Sequence, residues 1–379
     1  MFSSLLITLV ALATAAQAAP TPLYYIPVFP KGGNGGSAQT GNTGSVNGGD
    51  VINDGFFISN AIGANKAGSG GISWSGDAFA GQGGYFGGNG GNAATGSTGN
   101  ANGGSVVNAG SFITNSLGTN KAGNGGITKS GQAYAGNGKR SYIPLYYTPI
   151  KAGNGGGAQT GNTGSVNGGG VLNEGSYIFN APGVNKAGSG GLSWSGDAFA
   201  GQGGYLGGNG GNAATGSTGN ANGGSVVNAG SFITNSLGTN KAGNGGVTKS
   251  GQAYAGNGKR SFIPVYYTPI KGGNGGYAQT GNTGSVNGGG VLNEGFAIKN
   301  SFGSNAAGYG GASLSGDAFA GQGGYFGGNG GNAQTGHTGN ANGGDAINSG
   351  QFISNGIFSD QAGSGGISRS GQAFAGNGV

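Results

Sequence analysis

Residues 87–141 return as residues 207–261 with a single change, Ile127 to Val247. Two stretches this alike must fold alike, so the architecture has to accept copies of itself as neighbours. The repetition runs through most of the chain. Lys31, Lys151 and Lys271 mark equivalent points of three long copies, 19–140, 141–260 and 261–379, and each copy holds a pair of shorter units. The units span 32–86 and 87–140, 152–206 and 207–260, and 272–326 and 327–379. All six share three submotifs. The first is Thr-Gly-x-Thr-Gly-x-x-Asn-Gly-Gly, as at Thr95 to Gly104. The second is Asn-x-Gly-x-x-Ile-x-Asn, as at Asn108 to Asn115. The third is Ser-Gly-Asp/Gln-Ala-Phe/Tyr-Ala-Gly, as at Ser75 to Gly81. Three submotifs per unit suggest a structural step of roughly 18 residues, the length of one solenoid coil or one compact hairpin.

Glycine narrows the choice further. With 101 glycines in 379 residues and no 3.6-residue period, helix is disfavoured by about 1 kcal/mol at each glycine. β-branched and aromatic residues concentrate between glycine clusters at Val51 to Ile62, Val106 to Leu117 and Val171 to Ala181, which read as strands. The expected fold class is all-β: a glycine-rich repeat forming a β-solenoid or stacked hairpins, with some disorder allowed for. Extended joints lie at Pro22 to Tyr25, Pro144 to Tyr147 and Pro264 to Tyr267. Large apolar side chains are too sparse for an ordinary core, and with no cysteine there is no disulfide to compensate. Order has to come from backbone hydrogen bonding, from stacking of repeats, or from association between chains.

The second submotif shows how stacking would work. In an extended segment Phe112 and Ile113 point to opposite faces, so both faces carry apolar surface and ask to be covered. Two asparagines recur in it in every unit: Asn53 and Asn60, Asn108 and Asn115, Asn173 and Asn180, Asn228 and Asn235, Asn293 and Asn300, Asn348 and Asn355. In a stacked repeat they would form ladders of amide hydrogen bonds, as in cross-β assemblies; the alternative is that they occupy turns.

The N-terminus reads as a secretory signal peptide over residues 1–18. Phe2 to Ala15 is an apolar run too short for a membrane span, and Ala16-Gln17-Ala18 is a small-x-small site cleaved after Ala18. No later stretch reaches transmembrane length and no lipidation signal is present, so the product is expected outside the cell or held non-covalently at its surface. No Asn-x-Ser/Thr acceptor occurs. The net charge of +6 comes from dispersed lysines such as Lys66, Lys121, Lys186 and Lys241 together with two dibasic pairs, which gives nucleic-acid binding little support.

Those pairs, Lys139-Arg140 and Lys259-Arg260, each lie in Gly-Asn-Gly-Lys-Arg-Ser at the boundary between long copies. Flanking glycines keep the backbone pliant for an endoprotease, whose acidic pockets would pair the two side chains. The third copy has no such pair. A signal peptide followed by tandem copies separated by Lys-Arg resembles the fungal secreted precursors processed by kexin, including the repellent proteins of smut fungi. The resemblance lies in this arrangement over residues 19–379 and not in the sequence of the copies. It implies secretion, processing by a kexin-like protease and assembly at the cell surface.

Other chemistry finds no support. Gly87 to Asn92 looks like a calcium-binding nonapeptide, but asparagine stands where ligand aspartates belong. No P-loop lysine follows the glycines. His337, the one histidine, is replaced by Asn42, Ser97, Asn162, Ser217 and Asn282 in the other units, which is poor evidence for a required base. No catalytic residue, metal site or cofactor is expected. The Thr-Gly-x-Thr threonines raise ice or cell-wall polysaccharide binding; their spacing of three would put them on opposite faces of a strand, whereas a polyproline-II arrangement with three residues per turn would align them, although its glycine periodicity is only local. The leading expectation is a non-enzymatic precursor cut into three products that self-associate or coat a cell surface. The alternatives are a secreted effector acting on a host surface, and an ice- or polysaccharide-binding solenoid.

Overall fold

The computed structural model describes residues 32–139, 152–259 and 272–378, except 61, 86, 206, 326 and 357–359. The signal-peptide site at Ala18, the Pro/Tyr joints, and Arg140 and Arg260 lie outside the described residues.

The fold is an all-β solenoid in which each unit forms one coil. The first coil carries β1 (Ala38–Gln39), β2 (Val51–Asp54), β3 (Phe57–Ser59), β4 (Ala64–Lys66), β5 (Ile72–Trp74) and β6 (Ala78–Phe79). Equivalent strands of successive coils pair in parallel, producing six parallel sheets of six strands that run along the solenoid axis. Register is maintained throughout: Ala38 pairs with Ala93, which pairs with Ala158 and so on to Ala333. The offset between partners is 55 residues within a copy, as for Asn53 and Asn108, and 65 between copies, as for Asn108 and Asn173. The joint takes up the difference, and the coils continue across it as though it were absent. The expected step of roughly 18 residues is therefore corrected. The three submotifs are successive sides of one coil rather than three coils, because each side alone is too short to close on itself.

Each coil runs out along one wall and back along the other, and glycine sets how close the walls come. Gly81 N–H donates to the Gly36 carbonyl (2.8 Å) and Gly91 N–H of the next coil donates to the Gly81 carbonyl (2.8 Å). The zigzag continues through Gly136, Gly156, Gly201 and Gly211. A second zipper links Gly49, Gly68, Gly104, Gly123, Gly169 and Gly188 in the same way. The backbone therefore bonds in two directions, coil to coil and wall to wall. A Cβ built on Gly136 would overlap the Gly81 carbonyl oxygen, so no other residue fits there.

Between and beyond the zippers the interior is thin and filled by small side chains. One alanine column contains Ala93, Ala133, Ala158, Ala198, Ala213 and Ala253. A valine and alanine column runs through Val106, Ala122, Val171 and Ala187, and Ile58, Ile113, Ile178, Ile233 and Ile298 stack beyond it. Along the first wall Thr95, Thr98 and Ala101 all face inward at a period of three. That is the period of a three-residue-per-turn extended backbone rather than of a pleated strand. Of the two arrangements open to the threonines, alignment holds and opposite strand faces do not: they share the interior side and are buried. Ile113 is buried while Phe112 faces out, and the outer face of that strand is covered by neighbouring rings rather than by a second layer.

Gly136→Ala is expected to lower stability by about 3 kcal/mol through overpacking against the Gly81 carbonyl of the preceding coil. Gly157→Ala, at a position that meets nothing closer than 3.5 Å and holds Asn92 or Asn212 in neighbouring coils, should change it little. Thermal unfolding of the two variants distinguishes zipper glycines from the rest.

Candidate functional site

The asparagines singled out in the sequence form two continuous side-chain ladders. In the first, Asn53, Asn108, Asn173, Asn228 and Asn293 each donate through Nδ2 to Oδ1 of the next, ending on Asn348, at 2.7 to 2.8 Å. Asn60, Asn115, Asn180, Asn235, Asn300 and Asn355 form the second, at the same spacing. A third, not singled out in the sequence, joins Asn65, Asn120, Asn185, Asn240 and Asn305 and ends on Asp360. Its signal was available: each unit except the last places Asn at this position, just before Lys or Ala. In the central coils these amides are buried, with Asn108, Asn173, Asn228 and Asn293 at 0% exposure. Burial of so polar a group is sustained because each amide both donates and accepts along the ladder.

Outward asparagines do a different task. Asn89 Oδ1 accepts from Asn154 N–H (2.8 Å), and Asn92 Oδ1 accepts from Gly157 N–H (2.8 Å). These residues of the calcium-like stretch thus cap backbone donors of the following coil. His337 sits on the same kind of outward column, its N–H bound to Asn282 Oδ1 (2.8 Å). No group of three or more His, Cys, Asp or Glu that could hold a metal occurs among the described residues.

Two surface columns are aromatic. Phe79, Tyr134, Phe199, Tyr254, Phe319 and Phe374 stack with centroids 4.8 to 5.0 Å apart and planes within 5°. Phe57, Phe112, Tyr177 and Phe232 form the second, until Ala297 interrupts it and Phe296 fills in edge-on. Beside the first column Trp74, Lys129, Trp194 and Lys249 alternate, with Lys129 Nζ 4.8 Å from the Trp74 ring and 5.2 Å from Trp194. Asp and Gln alternate likewise: Asp77 accepts from the backbone of Gln132, whose Nε2 reaches Asp197 (3.3 Å). Alternation keeps like charges two coils apart, which accounts for a repeat built from pairs of unlike units.

One column breaks that rule. Lys66, Lys121, Lys186 and Lys241 occupy one register position in four successive coils, all exposed. The strand spacing puts neighbours about 4.8 Å apart at the backbone. Lysines dispersed in sequence thus converge into one basic row, so the expectation of a diffuse charge is corrected. No carboxylate pairs with them among the described residues.

At the joints, Lys139 Nζ lies 4.7 Å from the Tyr85 ring and Lys259 Nζ 5.4 Å from the Tyr205 ring, each reaching back onto the preceding coil. The coil thus holds the first residue of each dibasic pair.

No family model, curated protein or solved structure matches the chain. Its own geometry defines the site: an all-β stack with polar ladders inside and aromatic and basic columns outside. No helix among the described residues is long and apolar enough to cross a membrane.

Two outcomes follow. Asn173→Ala would leave Asn108 Nδ2 and Asn228 Oδ1 buried and unpaired, and chemical denaturation should show a loss of about 3 kcal/mol. Tyr134 and Tyr254 are held above the ordinary phenol range, first by desolvation and then by Asp197 with Asp77 or Asp317. Their folded pKa exceeds the unfolded one, so the stability they contribute is present below the ordinary phenol pKa and is lost as pH rises through the folded value. Ultraviolet titration should show late-ionising tyrosines that disappear in Tyr134→Phe/Tyr254→Phe.

Proposed function

We propose that the protein is a secreted, non-enzymatic precursor whose Lys-Arg joints are cut after Arg140 and Arg260 by a kexin-like protease, giving three two-coil products that associate by coil stacking and coat a surface. The observation that supports this is the register between copies. Asn108 pairs with Asn173 across the joint just as Asn53 pairs with Asn108 within a copy, so the contact between products is of the same kind as the contact inside each one. Backbone ladders, two glycine zippers and three asparagine ladders all run through that contact. Cutting removes a connection but none of these bonds.

Intact-mass measurement of the secreted material should show three fragments under denaturing conditions, with new N-termini at Ser141 and Ser261. Sedimentation of the same sample under native conditions should show them travelling together. A single uncut chain would reject processing, and fragments that separate freely would reject stacking.

The basic row favours an anionic polymer as the coated surface. Four ammonium groups in line, with no carboxylate partner among the described residues, match a linear acidic polysaccharide better than a neutral one. Replacing Lys66, Lys121, Lys186 and Lys241 with glutamine should abolish retention on polygalacturonate at low salt and leave the fold intact. Wild-type retention should fall as salt rises.

A further inference from the structure

The three asparagine ladders have a direction. Each Nδ2 donates toward the coil that follows, so the first coil presents Oδ1 of Asn53, Asn60 and Asn65, to which no donor comes among the described residues. The last coil should present three amide donors. Such ends are complementary, and a second copy of the chain stacked head to tail would extend all three ladders. Other columns would continue as well: Ile353 stands where Ile58 does, Phe374 where Phe79 does, and Arg369 would meet Trp74 as Lys129 does. Ile353 is 43% exposed against 2% for Ile298 one coil earlier, so the end is open for such a contact.

Position 360 prevents it. The Asp360 carboxylate accepts from Asn305 Nδ2 through Oδ1 (2.7 Å). Its Oδ2 accepts from Asn348 Nδ2 (2.9 Å) and Asn355 Nδ2 (3.0 Å), the donors that would otherwise leave the end of the other two ladders. One side chain thereby turns all three ladders back on themselves. An ionised carboxylate also has no proton to give, so against Asn65 of an incoming copy it would set acceptor against acceptor and bury an unpaired charge.

We propose that Asp360 is a built-in terminator of head-to-tail stacking, the partner it excludes being a second copy of this chain. Resting on the cut-and-stack reading above, it assigns different parts to the three products. Copies 1 and 2 end on Asn120 and Asn240, which carry the amide donor and propagate a stack. Copy 3 ends on Asp360 and closes one. Before cutting, Asp360 stands in the last described coil and keeps whole chains apart.

The test uses the full uncut chain. Asp360→Asn installs the residue that the other five coils carry and should fold as wild type by circular dichroism. In sedimentation velocity, wild type should remain a single chain at all concentrations. Asp360→Asn should rise with concentration beyond roughly twice the mass of one chain and form rods by electron microscopy, as a head-to-tail contact that does not close requires. Wild-type chain cut at its dibasic sites is run in parallel. If Asp360→Asn stays a single chain while cut wild type restacks into longer assemblies, the terminator is wrong and the stacking reading stands. If cut wild type falls into separate copies, both are wrong. Uncut wild type that polymerises as readily as Asp360→Asn would also overturn the proposal.

Discussion

Everything in this solenoid depends on two walls coming within backbone hydrogen-bonding distance of each other. Side chains normally hold opposing β-layers about 10 Å apart and fill the gap with a core. Here the zipper columns through Gly36 and Gly81, and through Gly49 and Gly68, remove the side chains at the contact, and amide meets carbonyl directly. The interior left over accommodates alanine, valine, threonine, serine, a single column of isoleucine and three of asparagine. A chain with a small apolar complement can therefore still be ordered, since hydrogen bonds along and across the coil take the place of a conventional core.

Stacking in register multiplies whatever one coil contains. A column of identical amides becomes a ladder, and a column of rings becomes a stack. A column of charges becomes a row of repulsions, unless neighbouring coils differ. The paired organisation of the copies reflects that last case: Asp faces Gln, Trp faces Lys, and Phe faces Tyr in alternate coils. The lysine row from Lys66 to Lys241 departs from this alternation, and Asp360 departs from an otherwise uniform ladder. In a repeat these departures carry the information, because the background is constant. The function proposed above rests on the register between copies, the joints and the lysine row, and the terminator on Asp360.

Much of this was legible beforehand. The near-identity of residues 87–141 and 207–261 pointed to a stacked repeat, and the recurrent Asn108 and Asn115 positions left amide columns or turns as the two readings. The path of one coil was not legible. Three submotifs per unit look like three equal steps, and only the wall-to-wall bonds show that they are sides of a single closed coil. The threonines of Thr-Gly-x-Thr were ambiguous for a related reason: spacing of three means opposite faces on a strand, but the same face on backbone with three residues per turn, and the local pattern does not choose between them. Lys66 and Lys121 are far apart in sequence, and nothing local says that they meet.

By itself the sequence determined that equivalent residues of all six units are neighbours, because near-identical segments without enough apolar surface to stand alone gain order by aligning like with like. It also determined where the chain departs from the repeat, since a substitution in one unit is visible by comparison with the other five. Which residues face each other across a coil was decided only by the tertiary structure. That choice depends on where glycine lets the two walls touch, a contact between segments distant in sequence that no local pattern encodes.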